Sequence, residues 1–372
     1  MKIIIAPDKF KGSLTSEQVC KAIEEGILGV TQEKPEIVSF PMADGGDGFN
    51  IVLQHYFNTE TIEADTVDPL GRAIRSPYQW NASTGVAIIE MATASGLVLL
   101  EPADRNPLHT STYGTGLLIN DALKRGATRI ILGLGGSATN DAGMGILSAL
   151  GFSFTDKAGQ PLEPIGGNLS RVYSIEPPAI LPEVFFEIAA DVENPLYGPK
   201  GAAYVYGPQK GADKEMVEQL DNGLRAFAGM IDTKLSVDIA SFPGAGAAGG
   251  IAAGLSAFFK LDMKKGVELV LAANRLEDEL SNAALLITGE GRIDDQSGSG
   301  KVVGTIASLA KKYKLPCVAF CGLLEASDED LAELGVTAAL AIADPGRSTE
   351  ENMSNAYTLL REKVIDYFRT GF

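Results

Sequence analysis

The chain has 372 residues, 45% of them hydrophobic and 21% charged, with a formal net charge of −17. That is the profile of a globular protein of roughly two domains, and its acidity argues against nucleic acid or an anionic membrane surface as partner. An anionic substrate is compatible with such a charge only where the few cations, or a bound metal, gather at one site.

The amino terminus, MKIIIAPDKF, carries a short β-branched run at 3–6 that reads as a buried parallel strand. It turns polar too soon for a signal peptide or a membrane span. A loop, PDKFKGS, follows. Next comes a helix with Thr15 and Gln18 as a capping box, Leu14 stapled onto Val19, and Val19, Ile23 and Ile27 at helical spacing. Residues 36–40 read as a second strand, ending in PMADGGDGF. The middle of the chain offers strands at 86–90, 129–133 and 185–190 and helices at about 112–125 and 139–150. Further strands are predicted at 283–288, 317–321 and 336–342, with a helix from 301 to about 313. A last helix starts at a Ser348/Glu351 capping box and carries Met353, Tyr357, Leu360, Val364 and Phe368 on one face. This rhythm predicts two α/β domains. One is a doubly wound parallel sheet built from both chain ends, 1–67 plus 283–372. The other is an inserted α/β domain, 68–282, entered near Asp68-Pro-Leu-Gly-Arg72. Cys20, Cys317 and Cys321 are an odd, sparse set that reads as reduced thiols of a cytoplasmic protein.

Most motifs that can carry chemistry fall just after a predicted strand, where open α/β sheets bind their ligands. Asp8-Lys9-Phe10-Lys11-Gly12-Ser13 sets two lysines beside a helix start, suited to a phosphate or carboxylate or, equally, to a solvated loop. Asp44-Gly45-Gly46-Asp47-Gly48 places two aspartates on a tight backbone, facing a metal or a substrate hydroxyl, or merely forming a turn. The run from Gly133 to Gly145, LGGSATNDAGM within it, follows a strand and leads into a helix. Free N–H groups there would bind an anion, with Ser137, Thr139 and Asn140 as neutral donors; alternatively Ser137 or Thr139 only caps the helix. Asp191, at a strand end before Asn194-Pro195, is placed to be a base or a metal ligand, or to form an Asx-turn. A weaker lysine loop is Gly207-Pro-Gln-Lys-Gly211. Gly244, Gly246 and Gly249 spell G-x-G-x-x-G without a convincing preceding strand, which suggests a nucleotide-contacting loop or a helix-packing face. The cluster Gly289, Glu290, Arg292, Asp294 and Lys301 suits triphosphate and Mg²⁺ chemistry or a salt-bridged loop. It departs from the P-loop pattern at Asp295 and Val302.

Taken together, APDKFKGSLTS, PMADGGDGF, TSTYGTG, LGLGGSATNDAGMG, DVENPLYGP, GPQKGA, PGAGAAGG and TGEGRIDDQS resemble the bacterial glycerate kinase family, in the family's order and over essentially the whole chain. The family often has serine where Lys9 stands. The resemblance implies ATP and Mg²⁺ as cofactors, phosphoryl transfer to D-glycerate, usually giving 2-phosphoglycerate, and an active site between two α/β domains. On this expectation Asp191, or else Asp44, accepts the hydroxyl proton, with Lys11 beside it. Ser13, Asp47, Arg72, Gly136, Ser137, Thr139 and Asn140 hold glycerate; Gly244, Gly246, Gly249, Gly289, Arg292 and Lys301 meet ATP; Glu290 and Asp294 hold Mg²⁺. The partners expected are these small molecules, with no nucleic acid and no membrane, in a monomer or a homodimer. A kinase for another small hydroxy or sugar acid, or a non-catalytic small-anion sensor, are the competing readings.

Overall fold

A computed structural model describes residues 1–31, 34–44, 49–294 and 301–371. In chain order the strands are β1 (Lys2–Ile5), β2 (Glu36–Ser39), β3 (Glu60–Val67), β4 (Ala73–Asn81), β5 (Val86–Glu90), β6 (Arg129–Gly133), β7 (Ser153–Thr155), β8 (Ser174–Glu176), β9 (Phe185–Ala189), β10 (Lys260–Lys264), β11 (Leu285–Ile293), β12 (Cys317–Leu324) and β13 (Ala338–Ala341). The chain forms two compact units, Met1–Tyr56 with Lys265–Phe372, and Phe57–Lys264. Both breaks come earlier than the 67/68 and 282/283 boundaries expected from sequence. The hairpin β3–β4 pairs antiparallel and joins the sheet of the second unit through β5. The helices Gly266–Asn274 and Leu276–Leu280, with Val267, Val270, Leu276 and Leu280 buried, fall in the first unit.

In the first unit all pairings are parallel, in the order β13-β12-β11-β1-β2. The chain moves outward from β1 to β2, then returns to the other side of β1 with β11. Strand order therefore reverses between β1 and β11, and the crevice beyond their carboxyl ends is where such sheets bind ligands. β1 is buried on both faces, as a parallel strand covered by helices must be. On one face Ile3, Ile5, Ile287 and Phe320 pack with Val19 and Ile23 of the helix Ser16–Leu28 and with Leu360 and Val364 of the last helix. Gly26 makes that helix pair close: a Cβ there would lie 2.7 Å from Val364 Cγ1. The capping box expected at Thr15/Gln18 is present.

The helix predicted from Ser348 is two helices, Thr349–Ser354 and Ala356–Gly371. Its capping box forms, but Ser354 Oγ and Asn355 Nδ2 both donate to the carbonyl of Glu351, at 3.0 and 2.7 Å, competing with the backbone ladder. Met353 consequently stands 39% exposed rather than on the buried face. The strand expected to end at 288 runs on to Ile293, because Gly289 and Gly291 permit close pairing with β12; a Cβ on Gly289 would lie 2.3 Å from the carbonyl oxygen of Phe320.

The second unit has the sheet order β10-β9-β6-β5-β4-β3, parallel from β10 to β5 and antiparallel beyond, with β7–β8 a separate hairpin. Ile89, Ile130, Leu132, Phe186 and Ile188 form its core with Leu118 of the helix Tyr113–Lys124 and Leu224 and Phe227 of the helix Lys214–Leu235. Cys20, Cys317 and Cys321 are free and buried. Among the described residues no helix is long and apolar enough to cross a membrane.

Candidate active site

The reversal point of the first unit carries the loop after β1 on one side and the end of β11 on the other. Asp8 N–H donates to the carbonyl of Gly289 at 2.8 Å, and Thr288 Oγ1 donates to the carbonyl of Ala6 at 2.9 Å, so the two strand ends are tied together. Gly291 lets the loop cross β11: a Cβ there would lie 3.1 Å from Lys11 N. The cleft so formed, about 420 Å³, is lined by the charged side chains of Asp8, Lys9, Lys11, Asp44, Glu290, Arg292 and Lys301. Glu290 and Arg292 share it because alternate residues of a strand face the same way. Lys9 Nζ lies 3.9 Å from Asp8 Oδ1 and 3.8 Å from Asp44 Oδ1, bridging the two carboxylates. Burial pushes the carboxyl of Asp8 up to about 7; Lys9 opposes that shift and Asp44 adds to it. An acid held near neutrality beside several cations suits proton transfer next to an anionic substrate.

Several residues picked from sequence take different work. Asp294 lies past the end of β11, pairs with Lys301 at 3.3 Å, and lines a separate cavity with Lys311, Lys312 and Asp330, so it does not share the cleft lined by Glu290. Ser13 Oγ donates to the carbonyl of Phe10 at 3.0 Å, an internal turn contact. Gly289 is a strand-pairing glycine. Asp47, with Gly45, Gly46 and Gly48, lies outside the described residues, as do Asp295 and the glycines before Lys301.

In the second unit the loop after β6 is built around two buried charges. The helix expected at 139–150 begins only at Met144, because Ala142 and Gly143 adopt left-handed φ of +50° and +69°. Its first N–H groups are already satisfied. Asp141 accepts from Gly143 N at 3.1 Å, Gly145 N at 3.2 Å, and from Thr112 N and Oγ1 at 2.8 Å each; Ile146 N donates to Thr112 Oγ1 at 3.0 Å. The anion at this helix start is the chain's own carboxylate, and neither Ser137 nor Thr139 caps the helix. Lys210, from the turn Pro208–Lys210, reaches the same loop and donates to Ser137 Oγ and to the carbonyl of Thr139, both at 2.7 Å. It is 2% exposed, and burial lowers its ammonium to about 7, with Asp141 opposing the shift. Thr139 Oγ1 and Asn140 Nδ2 are buried in this loop without a protein partner. Gly136 holds a left-handed turn at φ +71°, and its carbonyl accepts from Leu97 N at 2.8 Å.

The glycine-rich segment 243–250 packs onto that loop. A Cβ on Gly249 would lie 2.4 Å from the carbonyl oxygen of Thr139, and one on Gly246 would lie 2.3 Å from that of Pro195. A Cβ on Gly244 would lie 2.9 Å from the carbonyl oxygen of Val192. Gly246 N donates to the carbonyl of Asn194 at 2.9 Å and Gly249 N to that of Gly246 at 3.2 Å. The N–H groups of Gly246 and Gly249 are committed to the protein, and all three glycines allow close packing. Arg72 is likewise committed: its guanidinium meets Asp68 at 2.5 Å and Asp104 at 3.1 Å. Asp191 is exposed on the loop after β9.

Compared with known proteins, residues 3–370 match the model of the glycerate kinase family. This chain belongs to the glycerate kinase family. It is 42% identical over 97% of its length to a glycerate kinase of Halalkalibacterium halodurans, covering 95% of that protein. It is 40% identical over 96% of its length to glycerate 2-kinase of Escherichia coli K12, covering 94% of it. A crystal structure described as glycerate kinase 2 of Salmonella typhimurium LT2 superposes with a TM-score of 0.88 at 38% identity, over 100% of this chain and 98% of that one. The chain is therefore an enzyme of the kinase class, a transferase.

Within the glycerate kinase frame, sequence reasoning gave no role to Asp8 or Asp141 and marked Lys210 only as part of a weaker lysine loop. All three sit inside quoted motifs, so composition and position flagged the segments. The individual residues were hidden because what distinguishes them is burial and contacts distant in sequence. Lys210 lies 73 positions from Ser137.

Proposed function

We propose that this member of the family transfers the γ-phosphate of ATP to a hydroxyl of D-glycerate, with 2-phosphoglycerate as product. The observation that carries the reading is the cleft at the β1–β11 reversal. There Lys9, Lys11, Arg292 and Lys301 meet Asp8, Asp44 and Glu290 in a protein whose net charge is −17. Phosphoryl transfer asks chiefly for positioning and for neutralisation of phosphate charge, and this cleft gathers the cations for it. The names of the relatives supply the acceptor.

Among the described residues no group of three or more His, Cys, Asp or Glu side chains forms a metal cage. The donor set still fits Mg²⁺, which usually takes one or two carboxylates plus substrate phosphates. Glu290 and Asp44 are the carboxylates of the cleft that would hold it, and Mg²⁺ would there neutralise charge building on the phosphate oxygens. Lys11 and Arg292 orient the transferred phosphoryl group, and Lys9 bridges Asp8 and Asp44. Asp8 takes the hydroxyl proton in this scheme, a role that its carboxyl, raised to about 7 by burial, supports, with Asp191 the alternative acid. Measuring kcat/KM for ADP formation across a panel of small hydroxy and sugar acids tests the acceptor. D-glycerate should lead the panel, and a sugar acid that outpaces it by tenfold would reassign the substrate.

A further inference from the structure

Beside the charged cleft of the first unit lies a second cavity of about 190 Å³ over the carboxyl ends of β11, β12 and β13. The two cavities share Lys11, Gly291 and Leu323, so they adjoin each other along the sheet's ligand-binding edge. Their chemistry differs sharply. The charged cleft carries seven ionisable side chains, whereas the second cavity is walled mainly by Phe10, Leu323, Ile342 and Met353, with Lys11 at the shared end. Its floor holds Gly291 and Gly322; a Cβ on Gly322 would lie 2.5 Å from the carbonyl oxygen of Gly291, so the floor is bare backbone. Leu323 and Met353 are 43% and 39% exposed, two large apolar side chains left partly uncovered on the rim of one slot. Met353 Cε also roofs Gly12, where a Cβ would come within 2.6 Å. Unpartnered apolar surface at a concave site marks a ligand.

We propose that this slot takes the purine base of a nucleoside triphosphate whose phosphates lie in the adjoining cationic cleft. The inference rests on the ATP-dependent reading given above and adds which unit, and which side chains, hold the nucleotide. Size favours a base over a whole nucleotide, since drug-sized ligands occupy about 300–1,000 Å³. The polar side chains at the slot are largely committed. Asn352 Oδ1 accepts from Asp344 N at 2.8 Å and its Nδ2 donates to the carbonyl of Asp344 at 3.0 Å, while Ser13 is held by Phe10. A flat aromatic ring therefore gains here by contact with its faces. The adaptable thioether of Met353 suits that contact.

Binding of ADP and of inorganic tripolyphosphate to the wild-type enzyme, Met353→Glu and Leu323→Gln, read by isothermal titration with Mg²⁺ present, tests the proposal. The expected result is a Kd for ADP about tenfold or more weaker in both variants, with tripolyphosphate binding unchanged. Unchanged tripolyphosphate binding also shows that the variants are folded. If the wild type binds ADP and both variants bind it equally well, the slot is overturned while the kinase reading stands. If the wild type binds neither ligand, the ATP-dependent reading fails and the slot fails with it.

Discussion

The ammonium of Lys210 donates to Ser137 Oγ at 2.7 Å from a position only 2% exposed to solvent. It is a buried cation that the fold holds near its point of neutralisation. The folded ammonium has a lowered pKa of about 7 against an ordinary 10.5. Between those values the unfolded chain binds a proton that the folded one does not, so this residue makes stability rise with pH across that window. In Lys210→Met the rise disappears. Urea midpoints at pH 7 and pH 9.5 should climb less, or fall more, in the variant than in the wild type; parallel shifts would mean that Lys210 is charged throughout.

The proton acceptor separates by substitution. Asp8→Asn should cut kcat by on the order of 10²-fold or more, whereas Asp191→Asn should leave it within a few-fold. The opposite pattern returns the role to Asp191. The folded carboxyl of Asp8 is raised to about 7 from 3.8, so its contribution to stability is full below about 4 and is lost as pH rises through 7. Asp8→Asn should accordingly be the more stable protein at pH 8.

Magnesium dependence distinguishes the two acids first paired from sequence. Glu290 lines the cleft, whereas Asp294 lines a different cavity and pairs with Lys301. Glu290→Gln should raise the Mg²⁺ concentration for half-maximal rate by roughly tenfold or more, and Asp294→Asn should raise it far less. Equal shifts would restore the original pair.

Gly249 has φ +78°, and a Cβ there would lie 2.4 Å from the carbonyl oxygen of Thr139 and 2.5 Å from Asn140 Cα. Gly249→Ala combines backbone strain with overpacking and should cost on the order of 2–4 kcal/mol in urea unfolding. A cost below 0.5 kcal/mol would show that the segment does not need its glycine.

Local rules in the sequence carried most of the first unit. The β-branched run at 3–6, the Thr15/Gln18 box and the Ser348/Glu351 box depend on neighbours a few positions apart, and each appears in the structure. The start of the helix at Met144 was not legible, since Thr112 and Asp141 set it from 29 positions apart. Glycine spacing at 244–249 could not distinguish a phosphate cradle from a packing face. That choice depends on whether Asn194 and Thr139 lie against the segment. Arg72 looked available because its partner Asp104, 32 positions away, cannot be inferred from the motif.

The most direct measurement is ADP release by the purified enzyme with ATP, Mg²⁺ and D-glycerate, with the phosphorylated product identified by NMR. The account predicts ADP and 2-phosphoglycerate in equal amounts, and no appreciable ADP without glycerate. ATP hydrolysis at the same rate with and without glycerate, or no ADP at all, would contradict it.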